Sequence, residues 1–433
     1  RLRETDIPKE NRYILLRSLQ GDELKNKDLI AKHLKTKEQL SNLNLGVHTI
    51  YGKPVLLDSL WDFGVRALYS KNDKLEDNKL DYIVYKVEVI QGFAEEGEYH
   101  GRRALMSFEV GKKALDFLVA NSGNRVNLEV DFFGGEPLMN WDVVKQLVAY
   151  GRSLEKPNNK KFRFTLTTNG VLLNDEVMEF VNKEMSNVVL SLDGRKEVND
   201  KMRPFRNGKG SYDLIVPKFQ KFAESRNQTN YYVRGTFTRN NLDFSEDVKH
   251  FADLGFKQMS IEPVVGPEED PYSIREQDLP QIMEEYDKLA LEYIDRYKKG
   301  NGFNFFHFMI DLTQGPCVYK RLSGCGSGTE YLAVTPWGDF YPCHQFVGNE
   351  DFLMGNVDEG ITKPEIVKEF GNCNVYSKEK CKNCFAKFYC SGGCAANSYN
   401  FHGTINDAYD IGCEMQRKRV ECSIMIKAAL ADE

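Results

Sequence analysis

The residues with the most chemistry to offer are the cysteines, and they are all at one end. The chain has ten, none of them before Cys317. Their spacing is ordered: Cys381-x2-Cys384-x5-Cys390-x3-Cys394, then Cys413 after a gap. Upstream, Cys325 is followed by Gly338, four residues and Cys343. Thiolates this close on irregular backbone can converge on one metal centre, and the more distant ones can supply a remaining ligand. In a reducing compartment such clustering signals metal more often than disulfides. Zinc and iron–sulfur clusters both accept four thiolates, so spacing alone leaves both open.

A second group of chemically suggestive residues falls where strands should end. Gly134-Gly135-Glu136-Pro137 follows an apolar stretch over 126–133. Two glycines let the backbone approach a ligand, and a carboxylate beside free peptide groups can bind an ammonium. Thr167-Thr168-Asn169-Gly170, Ser191-Leu192-Asp193-Gly194 and Ser260-Ile261-Glu262-Pro263 close later stretches in the same way. Each alone is as readily a turn as a site. Their recurrence at successive strand ends, where α/β folds place ligands, is the stronger signal.

The elements that must carry these residues alternate. Strands are expected over 82–90, 126–133, 162–167, 187–192, 231–238 and 258–264. Helices are expected after Ser107, whose hydroxyl can cap a helix with Val110, Ala114, Leu115 and Leu118 on one face, and over 141–154, 175–183, 212–225, 245–254 and 279–297. The strands look too apolar to leave one face wet, so parallel strands covered by helices are predicted. Six units are too few for an eightfold barrel and fit a partial one. After Gly315-Pro316 the periodicity fades, and the segment is expected to depend on metal rather than on a large apolar core. Before residue 80, helices are expected over 11–19, 25–34 and 37–43, then a strand, turn and helix over 51–68. Nothing there names a chemistry.

Composition narrows the classes. With 433 residues, two or three units are expected; 41% apolar and 28% charged residues read as an ordinary globular chain. A net charge of −6 argues against nucleic acid, and no run approaches a membrane span. The start lacks both a Met and a signal peptide's apolar stretch, as expected of a trimmed cytoplasmic chain.

The cysteine pattern resembles the SPASM domain of radical S-adenosylmethionine enzymes in every element, over roughly the last 120 residues. The resemblance implies one [4Fe–4S] cluster on Cys381, Cys384, Cys390 and Cys413. A second would lie on Cys325, Cys343 and Cys394, with Cys317 a candidate fourth ligand or that position open. Cys373 and Cys422 fall outside the pattern and are expected to be packing thiols. The region from Phe93 to about Tyr297 resembles the radical S-adenosylmethionine core. There Gly134, Gly135, Glu136 and Pro137 would grip the cofactor's methionine amino group. Asn169, Ser191 and Asp193 would line its pocket, and Arg234 would reach its carboxylate. Phe93-Ala94-Glu95-Glu96-Gly97-Glu98-Tyr99 looks like maturases that install thioether cross-links in ribosomally made peptides, the sactipeptide and ranthipeptide type.

The resemblance thus implies an α/β fold: a partial (β/α)6 barrel over 81–312, a two-cluster SPASM domain over 313–433 and a mostly helical extension over 1–80 in the place of a leader-peptide-binding region. It implies S-adenosylmethionine and [4Fe–4S] clusters as cofactors. A precursor peptide with a leader would be the partner, and a flavodoxin or ferredoxin the electron donor. No catalytic side chain is named. One departure matters. The family's Cys-x3-Cys-x2-Cys, on the loop after the first strand, would fall at Tyr85, Val89 and Gly92, which cannot ligate iron. His100 is the nearby side chain that could ligate, and one imidazole does not replace three thiolates. A replaced segment before Phe93, a degenerate relative and a shifted register remain open. So do a non-catalytic two-cluster peptide scaffold and a zinc-stapled binding module.

Overall fold

The computed structural model describes residues 47–50, 53–56, 86–90, 104–312 and 318–431. The chain divides into two compact units, Arg1–Asp81 and Tyr82–Glu433. In the first, the described residues form an antiparallel hairpin of β1 (Val47–Ile50) and β2 (Lys53–Leu56). The helices expected over 11–19, 25–34 and 37–43 lie outside the described residues.

The second unit is organised by one sheet. Strands β3 (Lys86–Ile90), β4 (Asn127–Phe133), β5 (Lys161–Thr168), β6 (Met185–Ser191), β7 (Tyr231–Phe237), β8 (Gln258–Pro263) and β9 (Asn304–Phe305) pair in parallel, in chain order. Helices connect them on one side, as right-handed crossovers require. The helix Phe108–Asn121 starts where Ser107 accepts the Val110 N–H, and it buries Gly111, Ala114, Leu115 and Leu118. The helices Trp141–Asn158, Asp175–Glu184, Tyr212–Ser225, Phe244–Asp253 and Leu279–Lys298 follow the expected stretches to within a few residues. A short helix, Lys196–Met202, was not anticipated.

Burial alternates along the strands, which corrects the expectation that neither face is wet. Leu128, Val130 and Phe132 of β4, Phe162, Phe164 and Leu166 of β5 and Val188 and Leu190 of β6 are buried under the helices. The residues between them form the other face. It is polar and half-buried, with an ion pair between Lys86 and Asp131 at 2.5 Å and another between Arg163 and Glu129 at 3.5 Å. Most of the large apolar residues that made the strands look uniformly apolar sit on the buried side, with Phe133, Val189 and Tyr232 on the other.

The tail also departs from expectation. It extends the same sheet: β10 (Tyr331–Val334) pairs in parallel with β3, and β11 (Asp339–Tyr341), β12 (Gly355–Asn356) and β13 (Gly360–Ile361) follow antiparallel. Leu332, Ala333, Val334 and Phe340 are buried and continuous with the barrel core. Phe346, Phe352, Phe370 and Tyr399 form an aromatic cluster with centroids 4.3–6.0 Å apart. The tail therefore has an apolar core of its own making, shared with the barrel, rather than relying on metal alone. Its last element, the helix Asp410–Ala429, packs on the helix Leu279–Lys298 and was not legible beforehand. Among the described residues no helix is long and apolar enough to cross a membrane.

Candidate cofactor pocket and cysteine-rich tail

The carboxyl ends of β4 to β8 carry the strand-end motifs. After β4 the chain turns through Gly134 and Gly135 at φ of 78° and 24°, left-handed backbone that favours glycine. Glu136 follows, 6% exposed. Its Oε1 accepts hydrogen bonds from the Leu138 N–H at 3.0 Å and the Thr168 hydroxyl at 2.8 Å, and its Oε2 accepts the Asn169 N–H at 2.7 Å. Burial pushes its pKa up, and those three donors oppose the rise. The carboxylate thus latches the end of β4 to the end of β5. Pro137 is buried behind it, and the Asn169 side chain accepts the Val171 N–H at 3.0 Å.

Asp193 is likewise committed. Its two oxygens take a fork from Arg203 at 2.8 and 2.9 Å, and Oδ1 also accepts the Thr236 N–H at 3.0 Å. That arrangement ties the end of β6 to β7 and to the Lys196–Met202 helix. Ser191 and Arg234 are different. They face each other across β6 and β7, and Arg234 faces Ser260 across β7 and β8, so the three form a row on the open face. Arg234 is exposed. Of the expected cofactor residues, Arg234 is exposed and Ser191 half-buried, whereas Glu136 and Asp193 are spent on shaping the strand ends.

One constellation was missed. Glu262, two residues beyond Ser260 on β8, accepts the Ser260 hydroxyl at 2.7 Å and lies 3.0 Å from His307 Nε2. His307 Nδ1 lies 3.1 Å from the Tyr286 hydroxyl, which in turn accepts Arg419 Nε–H at 2.8 Å. Because Arg419 can only donate, Tyr286 gives its proton to Nδ1, and His307 carries its own on Nε2, toward Glu262. Burial alone would raise the Glu262 pKa, but His307 and Arg419 hold it well below the usual carboxylate range. Burial, then Arg419, lowers that of His307, and burial pushes Tyr286 up to about 12. No spacing signal links four residues drawn from β8, a helix, a short turn and the C-terminal helix.

In the tail, Cys381 is in the short helix Glu379–Lys382, Cys390 ends the helix Lys387–Cys390, and Cys413 sits in the first turn of Asp410–Ala429. These thiols and that of Cys384 are near one another. Burial raises the pKa of Cys381, Cys390 and Cys413, the last to about 11, and neighbouring thiolates of the same four add to it. The turn to Cys394 runs left-handed through Ser391, Gly392 and Gly393, with φ of 62°, 87° and 74°. This curl aims the Gly392 and Gly393 N–H groups at the Cys390 sulfur, favouring a thiolate there. Cys394 is exposed as a residue, yet protein atoms crowd its thiol and push its pKa up, with Cys325 adding to the rise. Cys343 is buried just beyond β11, and Cys317 lies outside the described residues. Cys373 is also beside Cys325: the two line one small cavity. Its thiol donates to the Ile405 carbonyl at 3.1 Å. Cys422 is buried away from the others, against the Tyr286 carbonyl. Among the described residues, no three His, Cys, Asp or Glu side chains converge as ligands of a single ion.

The thiolates for the cluster that would split the cofactor do not fit. Of the three positions, Val89 lies inside β3, opposite Phe132 of β4 and Val334 of β10, and not on a loop; Tyr85 and Gly92 lie outside the described residues. His100 also lies outside them. Two surface depressions, of about 620 and 500 Å³, are lined by other residues than these strand ends.

Residues 93–251 match the Radical SAM superfamily model, beginning directly after those three positions. A cysteine-type anaerobic sulfatase-maturating enzyme of Clostridium novyi is 25% identical over 342 residues, 74% of this chain and 88% of that one. The radical SAM cyclopropyl synthase TigE of Paramaledivibacter caminithermalis is 21% identical over 395 residues, 86% and 71% of the two chains. The solved structure of native anSMEcpe with bound AdoMet and the Cp18Cys peptide shares the fold, with a TM-score of 0.65 at 18% identity, over 80% of this chain and 99% of that one. The parallel sheet and its strand-end loops thus carry, over residues 93–251, a region that matches the Radical SAM superfamily.

Proposed function

We propose that the architecture is that of a peptide maturase which installs thioether cross-links, cysteine to carbon, in a ribosomally synthesised precursor peptide. The observation that carries the reading is the joining of two thiol groups to the same sheet whose strand ends carry the cofactor motifs. In this reading Cys381, Cys384, Cys390 and Cys413 hold one [4Fe–4S] cluster. Cys325, Cys343 and Cys394, with Cys317 as fourth candidate, hold the other in a SPASM domain over 313–433. Gly134 and Gly135 offer backbone to the S-adenosylmethionine ammonium. Arg234 meets the cofactor carboxylate, Ser191 lines the pocket, and Glu136, Pro137, Asn169 and Asp193 shape it. The similarity to sulfatase-maturating enzymes, and to a structure with a peptide bound, supports a peptide as substrate. A leader-bearing precursor and a flavodoxin or ferredoxin would be the partners.

A second reading is favoured by a specific observation. No cysteine precedes Cys317, and β3 occupies part of the place where the cofactor-splitting cluster would be held. The chain as it stands then binds cofactor and peptide as a two-cluster scaffold. Anaerobic reconstitution followed by iron, zinc and sulfide quantification and a 5′-deoxyadenosine assay with dithionite separates the readings. Zinc in the tail would sink the first two, and nucleoside formation would sink the scaffold.

A further inference from the structure

The tail buries a cation where no carboxylate meets it. Lys378 is 2% exposed. Its ammonium donates to the Gly392 carbonyl at 2.8 Å, in the left-handed turn between Cys390 and Cys394. Its stem packs against Gly392, where an added Cβ would lie 3.6 Å from Lys378 Cδ. Among the described residues no carboxylate pairs with it. The same side chain lines the small cavity that also holds Cys325, Cys373 and Ser391. Its charge reaches a thiol of each group, Cys381 and Cys394, and the packing thiol Cys373 as well: burial raises all three, and Lys378 opposes the rise at each. Lys378 therefore lies between the Cys381 group and the Cys325–Cys394 group.

An ammonium out of water costs several kcal/mol unless anions or hydrogen bonds compensate it, and the Gly392 carbonyl and the Cys373 thiol, its two hydrogen-bond partners, leave one N–H donor over. A cubane held by thiolates carries net negative charge, which grows by one when an electron is added, and its potential follows the charge around it. Two such groups flanking Lys378 would compensate the ammonium from both sides. Resting on the two-cluster reading, we propose that Lys378 is their shared counter-charge, a positioning residue that raises the reduction potentials of both clusters. The ammonium, which meets no carboxylate among the described residues, is then held ready for the reduced, more anionic state.

The test uses the full chain, reconstituted anaerobically with iron and sulfide and titrated with dithionite and mediators under electron paramagnetic resonance. Lys378→Met and Lys378→Gln should keep their iron and show midpoint potentials more negative than wild type, while Lys378→Arg should stay close to it. Lys378→Gln can still donate to Gly392, so it separates charge from the hydrogen bond. Potentials unmoved in both neutral variants, with only their melting temperatures lowered, would overturn the proposal. If both neutral variants lose iron and Lys378→Arg keeps it, assembly itself depends on the charge, which supports the proposal. Loss in all three marks packing alone and overturns it. A wild-type tail without iron would overturn the cluster reading beneath it, a result distinct from an unmoved potential.

Discussion

His307 Nε2 stands 3.0 Å from Glu262 Oε2 across 45 residues of sequence, and this contact ends a chain of hydrogen bonds that begins at Arg419 on the C-terminal helix. It couples the open face of the sheet at β8 to the helix whose first turn carries Cys413.

That contact sets an acid limit on stability. The unfolded chain protonates His307 near 6.5 and Glu262 near 4.5, whereas the folded chain resists both, so the unfolded state binds more protons as pH falls. The stabilisation is full above 6.5 and drains away as pH drops through the unfolded value of each group. Melting temperatures of wild type and His307→Gln should therefore differ at neutral pH and converge between about pH 6 and 4. A constant difference across that range would mean His307 does not titrate as described.

Glu136→Ala should act through the strand ends. It strips the acceptor from the Leu138 and Asn169 N–H groups and from Thr168, at a cost of about 1–3 kcal/mol in stability. Where S-adenosylmethionine binding is measurable by calorimetry, affinity should fall along with it. Binding lost at unchanged melting temperature would show instead that the carboxylate touches the ligand.

Iron content tests the ligand sets. Two cubanes imply roughly eight irons per chain, and Cys381→Ala should leave roughly four. Cys422→Ala should leave the count unchanged: its thiol, pushed up to about 12 by burial, lies against Tyr286 and not beside the other thiols. Equal losses from both variants would refute the assignment.

The β3 register yields a further expectation. On the scaffold reading, dithionite and S-adenosylmethionine should give no 5′-deoxyadenosine with this chain. The combined Tyr85→Cys, Val89→Cys and Gly92→Cys variant should remain near eight irons rather than rise toward about twelve. Position 89 is paired on both sides within the sheet and cannot join a loop without breaking it. Twelve irons in that variant would show that β3 yields to a cluster.

The strands β4 to β8, their helices and the ordered cysteines were legible because local pattern alone specifies them: apolar runs of strand length, a 3.6-residue period and thiols a few residues apart. The wetness of one sheet face was not, since Phe162, Phe164 and Leu166 outweigh Thr165 and Thr167 in a linear reading, and only the pleat separates them. The helix Asp410–Ala429 escaped notice because its buried Met415, Val420 and Ile426 are too widely spaced to declare a face without the Leu279–Lys298 helix against them. Sequence named Glu136 and Asp193 as chemistry-bearing. The tertiary structure gave their oxygens to Asn169, Thr168 and Arg203, left Arg234 exposed, and assembled Glu262, His307, Tyr286 and Arg419. Such assignments follow from which donors a buried oxygen finds within 3 Å. Those donors come from elsewhere in the chain, so folding alone decides them.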